Sequence, residues 1–328
     1  MLARISVSLS GWAADWGGAV RRRSQTAQGV QQQNNQGTMT QNVSKAVILA
    51  GGFGTRLTEV TEVRPKPLVE IGGLPILWHI MKIYYAHGIR EFIICLGCKG
   101  YMIKEFFSNY YRHVSDFTID FADNSTTFHN QRAEDWKVTL VDTGLHTMTG
   151  GRIKRIAPYV GDEPFCLTYG DGVGDIDIRA LIDKHLATKP VATMTVVTPP
   201  GRFGAAKIEG NRITEFREKP MGDGGVINGV YFVLSKGVFD FIDGDDTAWE
   251  REPLQRMAEA GCLNAYRHDG FWKPMDTLRD LMELQQLWDS PNPPWRIWDD
   301  RERDILALQE RPATAMRPTL DRGRTWGR

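Results

Sequence analysis

Four cysteines among 328 residues are too few for the disulfide framework of a small secreted domain. Forty basic side chains balance forty acidic ones, so no net field recommends nucleic acid or an anionic membrane as a partner. No apolar run reaches the roughly 18 residues that a membrane-spanning helix requires. The seven histidines form neither an HxH nor an HExxH pattern, which argues against a histidine-based metal centre. One Cys-x-x-Cys does occur, Cys95-Leu96-Gly97-Cys98. Neither Cys166 nor Cys262 completes a zinc set with it, and it closes the strand-like Phe92-Ile93-Ile94 without a thioredoxin-like context. Two buried or half-buried thiols are therefore expected. Internal repeats are missing too. The apolar fraction, 41%, is ordinary and permits a substantial core.

The most informative segment is residues 46–67. Ala46-Val47-Ile48-Leu49-Ala50 is short for a helix and apolar on both faces, as in a central strand of a covered parallel sheet. It runs into Gly51-Gly52-Phe53-Gly54-Thr55-Arg56-Leu57, and Arg64-Pro65-Lys66-Pro67 follows. Glycines lack a Cβ and let main-chain N–H groups approach a phosphate closely. Arg56 adds a planar fork of donors, and Lys66 a point charge on a segment restrained by two prolines. The pattern is not a Walker loop, because Gly54-Thr55-Arg56-Leu57 lacks the Gly-Lys-Ser/Thr ending. Nor is it the dinucleotide fingerprint, because Leu57 stands where a third glycine is needed. A nucleoside triphosphate is the expected ligand; a glycine-rich turn with incidental charges is the alternative.

Residues 1–44 read as a disordered extension, with Gln31-Gln32-Gln33-Asn34-Asn35 polar and aperiodic. Arg21-Arg22-Arg23 and scarce acids admit a transit peptide; a start site misplaced upstream of Met39 fits equally well. Residues 299–328 read as a flexible tail. Between them, 45–298 form one domain of alternating elements. Helices are expected over 75–87, 101–110, 150–159, 178–187 and 278–288. Strands are expected over 92–96, 138–141, 165–169, 191–197 and 230–234, with a hairpin of 205–209 and 212–216 about Gly210-Asn211. The alternation implies an α/β domain, a mainly parallel central sheet with helices on both faces. Ligands of such sheets bind beyond the C-terminal strand ends, where both the glycine cradle and Gly170-Asp171-Gly172 fall.

Asp171 and Asp276 are candidate magnesium ligands, since that ion takes oxygen donors and keeps waters and phosphates in its other positions. As residues alone they could equally be a turn residue and a helix N-cap. Asp175 and Asp177 read as solvated or capping. Thr147 reads as a capping hydroxyl, and Glu218-Lys219-Pro220 as an exposed strand end.

Gly51 to Leu57 with Pro65-Lys66-Pro67 resembles the signature of the sugar-1-phosphate nucleotidyltransferases. The similarity continues through Tyr169-Gly170-Asp171-Gly172, Glu218-Lys219-Pro220 and Asn228-Gly229. More narrowly, Met148 to Arg152, Pro199 to Gly204 and Phe271 to Asp280 are similar to the glucose-1-phosphate cytidylyltransferases. The resemblance implies a Rossmann-like nucleotidyltransferase fold with a small β-hairpin sugar-binding subregion. It implies CTP and glucose 1-phosphate as substrates, Mg²⁺ as cofactor, and Asp171 and Asp276 as metal ligands. It makes Arg56, Lys66 and Asp171 catalytic. Leu49, Ala50, Gly51, Gly52, Phe53, Gly54, Thr55, Arg56, Lys66, Thr147, Arg152 and Gly170 become nucleotide contacts. Glu218, Lys219, Asn228 and Gly229 become sugar-phosphate contacts, with Arg202 and Trp272 as further pocket candidates. Val230 departs from the family pattern, which has a second glycine there. A cytoplasmic homo-oligomer serving surface-polysaccharide synthesis is also implied; Trp288, Trp295 and Trp298 would serve an interface or cover the core. UTP or dTTP in place of CTP, a silent regulatory subunit and a nicotinamide-dependent oxidoreductase are the competing readings.

Overall fold

Strand β1, Lys45–Ala50, shows why its run of aliphatic residues has no polar face. Ala46, Ile48 and Ala50 enter one core, while Val47 and Leu49 enter a second on the opposite side of the sheet. A strand covered on both faces has no side-chain position left for water, and each fully buried aliphatic side chain contributes about 1.5–3 kcal/mol.

The computed structural model describes residues 43–54, 57, 61–130, 133–199, 205–209, 212–217 and 225–298, all within one compact unit, Gln41–Arg328. Residues 1–42 of the expected extension and the 299–328 tail lie outside the described residues, as do Thr55, Arg56, Arg202, Glu218 and Lys219. The further strands are β2 (Glu70–Ile71), β3 (Leu74–Pro75), β4 (Glu91–Leu96), β5 (Asp116–Asp120), β6 (Ser125–His129), β7 (Lys137–Asp142), β8 (Phe165–Tyr169), β9 (Gly172–Gly174), β10 (Ala192–Val197), β11 (Ala205–Glu209), β12 (Arg212–Arg217), β13 (Ile227–Leu234), β14 (Leu263–His268) and β15 (Trp272–Pro274). The helices are α1 (Ile76–Ala86), α2 (Gly100–His113), α3 (Thr149–Arg155), α4 (Ala157–Val160), α5 (Ile178–Thr188), α6 (Glu252–Glu259) and α7 (Leu278–Trp288).

The seven-stranded sheet runs β14-β10-β13-β8-β1-β4-β7. Only β13 opposes its neighbours; β14 runs parallel to β10, and β8, β1, β4 and β7 are mutually parallel. The expected mainly parallel α/β sheet is thus observed, and the backbones of β11 and β12 pair as the expected hairpin. The helix expected over 150–159 is in fact two, α3 and α4, because Pro158 lacks the N–H that would continue the first. Asp177 caps α5, its carboxylate accepting from Ala180 N at 2.9 Å. Asp175 is instead half-buried, 3.0 Å from His268 Nε2. Trp295 is fully buried and Trp298 nearly so, packed with Trp288 around His79, so they close the core. Cys95 is buried, Cys98 is half-buried, and both thiols are free. Burial pushes the Cys95 thiol up to about 12.

Candidate active site

Strands β1 and β8 lie side by side in parallel, with Leu49 opposite Tyr169. Their C-terminal ends therefore release the glycine turn and Gly170-Asp171 next to each other, and Gly170 N donates to Leu49 O at 3.0 Å. Asp276 arrives from far along the chain by a short antiparallel pairing of β9 with β15, Gly172 opposite Pro274. Met275 N donates to Asp171 O at 2.8 Å. This pairing was not legible in the sequence, because two three-residue strands carry no periodicity.

Lys66 comes from a third direction. Pro65 has φ −66°, and Lys66-Pro67-Leu68 forms one 3-10 turn, with Leu68 N bonded to Pro65 O and Val69 N to Lys66 O. The turn points the lysine inward: its Nζ lies 2.8 Å from Asp171 Oδ2 and 2.9 Å from Asp276 Oδ1. Burial would lower its pKa, but both carboxylates outweigh that effect and hold the ammonium above its ordinary value. Because one ammonium reaches both, the two carboxylate oxygens lie within about 6 Å of each other. Asp276 is not the cap of α7. Thr277 caps it, in a reciprocal capping box with Asp280, which leaves the Asp276 carboxylate turned to Lys66 and Asp171. Two partly exposed carboxylates are the kind of oxygen donors that a hard divalent ion takes. No cluster of three or more metal-ligating side chains occurs among the described residues.

The glycine turn rests on Arg152. This guanidinium is 4% exposed and donates to Leu96 O, Thr143 Oγ1, Gly144 O, Gly51 O and Leu145 O at 2.7–3.5 Å. Both terminal nitrogens of Arg152 donate to protein oxygens, so this side chain braces the turn from below. A Cβ on Gly51 would overlap the guanidinium, whereas one on Gly52 would meet nothing within 4 Å. Close approach to Arg152 explains Gly51, and the space beside Gly52 is open. Gly54 has φ +68°, which a side chain would strain. Cys98 N also reaches Gly51 O, at 3.3 Å. Phe53 is half-exposed beside His146, ring centroids 6.0 Å apart.

Thr147 is buried but is not a helix cap: α3 begins at Thr149 with Met148 in the cap position and no side-chain cap. Thr149 Oγ1 instead donates to Glu250 Oε2 at 2.8 Å, and the Tyr169 hydroxyl donates to the other oxygen of Glu250. Burial, together with Glu250, pushes the Tyr169 phenol well up. Sequence reading missed Glu250, which lies in no motif. Asn228 is half-buried, Gly229 is buried, and Trp272 Nε1 donates to Gly229 O at 2.9 Å. The structure thus gathers Lys66, Asp171, Asp276, Gly170 and the 49–54 turn. Asn228 and Gly229 join them through Trp272, two residues before the Pro274 that pairs with Gly172.

A family model described as "Nucleotidyl transferase" matches residues 45–289. The chain is 58% identical over 256 residues to "Glucose-1-phosphate cytidylyltransferase" from Salmonella typhi, covering 78% of this chain and all of that one. The namesake from Salmonella typhimurium matches to the same degree and extent. Among solved structures, HddC from Yersinia pseudotuberculosis superposes with a TM-score of 0.55 at 24% identity, over 74% of this chain and 99% of that one; at that identity it speaks for the fold alone. By the family match and by relatives aligned over their full length, this chain belongs to the nucleotidyl transferase family.

Proposed function

We propose that this enzyme converts CTP and α-D-glucose 1-phosphate to CDP-glucose and pyrophosphate. The observation that carries it is the meeting of Asp171, Asp276 and Lys66 beside the glycine turn. The base and the sugar follow the name of the relatives at 58% identity.

A phosphate oxygen of the sugar phosphate attacks the α-phosphorus in line, forming a new P–O bond. The bond from the α-phosphorus to the bridging oxygen breaks, and pyrophosphate leaves with its electron pair. The attacking phosphate has a second pKa of about 6, so it is largely dianionic near neutrality and needs no strong general base. The barrier is the approach of two anions, which makes alignment and charge neutralisation the protein's task. Asp171 and Asp276 would hold Mg²⁺, which supplies neutralisation of the phosphate charge when bound. Main-chain groups of 51–54 cradle the triphosphate over the Arg152 strut. Lys66 and Arg56 offset its charge. Lys219 meets the phosphate of the sugar phosphate, and Glu218 and Asn228 bond sugar hydroxyls. A cytoplasmic homo-oligomer feeding nucleotide-sugar synthesis belongs to the same reading.

The test is pyrophosphate release by purified enzyme over a panel of CTP, UTP, dTTP and GTP with several hexose 1-phosphates. CTP with glucose 1-phosphate should give the highest kcat/KM, at least about tenfold above the next pair, or ~1.4 kcal/mol. Preference for UTP or dTTP would reassign the base. Tight nucleotide binding without turnover of any pair would make the chain a silent homologue.

A further inference from the structure

Lys99 breaks three local rules. It is the N-cap of α2 but makes no side-chain bond to the helix, as Ser, Thr, Asp or Asn would. It brings a positive side chain to the helix end that already carries positive partial charge. Its backbone is left-handed, φ +54° and ψ +25°, a conformation glycine adopts freely and lysine does not. Glycine would therefore satisfy the backbone better, and what the chain keeps at this cost is the ammonium. Local rules broken in this way mark functional positions.

The ammonium reaches the segment that joins the glycine turn to Lys66. Lys99 Nζ donates to Thr61 O at 2.6 Å and to Glu62 O. These carbonyls end one helical turn, Thr61 N donating to Leu57 O at 2.9 Å, and a lysine suits such an end. Val63-Arg64-Pro65-Lys66 follows Glu62 directly. The buried Thr61 carries the restraint back to the cradle. Its hydroxyl lies 2.8 Å from Leu57 O and 2.9 Å from Gly54 O, and its methyl is 2.9 Å from where a Cβ of Gly54 would lie. The residues just before Lys99 press on the other end of the turn. Cys98 N donates to Gly51 O at 3.3 Å, and a Cβ on Gly97 would meet the same oxygen at 2.4 Å. The connection from β4 to α2 thus holds Gly51 by its backbone and the segment after Gly54 by one side chain.

We propose that Lys99 is a positioning residue for the triphosphate cradle, acting through the carbonyls of Thr61 and Glu62; this rests on the nucleotidyl-transfer reading above. An ammonium has three donors and no acceptor, so one side chain ties both carbonyls and fixes the segment against the sheet. The ordering that a bound triphosphate requires is then in place beforehand. Asn228 and Gly229 come from β13, outside this chain of contacts.

The test uses Lys99→Met, Lys99→Gly and Lys99→Arg in the full chain, with calorimetric titration of CTP and of inorganic tripolyphosphate, KM values for both substrates and thermal denaturation. Methionine keeps the stem and loses the ammonium; glycine also relieves the backbone. Both variants should bind CTP and tripolyphosphate about tenfold more weakly, the equivalent of one charge-assisted hydrogen bond lost. Their KM for glucose 1-phosphate should stay within about twofold of the parent value. Lys99→Gly should melt no lower than Lys99→Met, so that weak binding is not poor folding. Lys99→Arg keeps a cation with several donors and should bind both anions within about threefold of the parent. Binding within about twofold of the parent in Lys99→Gly, a parallel rise in the KM for glucose 1-phosphate, a glycine variant that melts below the methionine one, or an arginine variant as weak as the methionine one would each overturn the proposal. If the unmutated chain bound both anions but formed no CDP-glucose, the activity reading would fail instead, and the titrations would still decide the role of Lys99.

Discussion

Replacing Lys66 by alanine removes an ammonium that bonds both Asp171 and Asp276, at 2.8 and 2.9 Å. The two carboxylate oxygens, no more than about 6 Å apart, then lose that shared cation, and their repulsion in an effective dielectric of about 20 costs about 3 kcal/mol at that separation. Their side chains are 29% and 24% exposed, so water and small shifts reduce this to about 1–2 kcal/mol. For a domain of this size each kcal/mol lowers the melting temperature by about 2–4 °C. A divalent ion competes with the ammonium for the same oxygens. Millimolar Mg²⁺ without nucleotide should therefore raise the melting temperature of Lys66→Ala more than that of the parent. Turnover should fall about 100- to 1000-fold, as expected when one well-placed transition-state donor is lost. The assay is differential scanning fluorimetry in EDTA and in Mg²⁺, alongside steady-state pyrophosphate release. Turnover within a few fold of the parent, or a variant that responds to Mg²⁺ no more than the parent does, would refute the reasoning.

Arg152→Lys cannot bond the five acceptors that Arg152 serves. Orphaning one or two of them should cost about 2–4 kcal/mol and raise the KM for CTP, as read by chemical denaturation and kinetics. Gly51→Ala drives a methyl into the same guanidinium; its effect on the CTP KM should be non-additive with Arg152→Lys, because the pair is in contact. His79 is fully buried, with Nε2 bonded to Ile71 O and Nδ1 facing Trp295 Nε1, and burial lowers its pKa to about 4. The unfolded chain therefore binds the proton first. Stability is fully present above about pH 6.5 and is lost as pH falls towards about 4, by up to about 3 kcal/mol. His79→Gln should flatten denaturation midpoints over that window; an unchanged slope would count against the assignment.

Much of this was readable beforehand for a physical reason. Strand β1 is apolar on both faces because it is covered on both faces, and Pro65 and Pro67 frame Lys66 because the turn must hold one direction. The acids were nameable and the resemblance paired them, but the residues by themselves did not show how they meet. That depends on β9 meeting β15, a tertiary pairing without local periodicity. That Arg152 also braces the glycine turn was not legible, because sequence gives charge and motif but not depth. Val230 was visible as a departure from the family pattern, yet only its φ of +62° shows that the chain kept the turn and accepted the strain.

In the proposed reaction Asp171 and Asp276 together hold one divalent ion next to the triphosphate. Titration of Mn²⁺ into the enzyme with CTP present, followed by electron paramagnetic resonance, tests it most directly. One tight site is expected in the parent, weakened about tenfold or more, ~1.4 kcal/mol, in both Asp171→Asn and Asp276→Asn. Undiminished Mn²⁺ binding in either variant would contradict it.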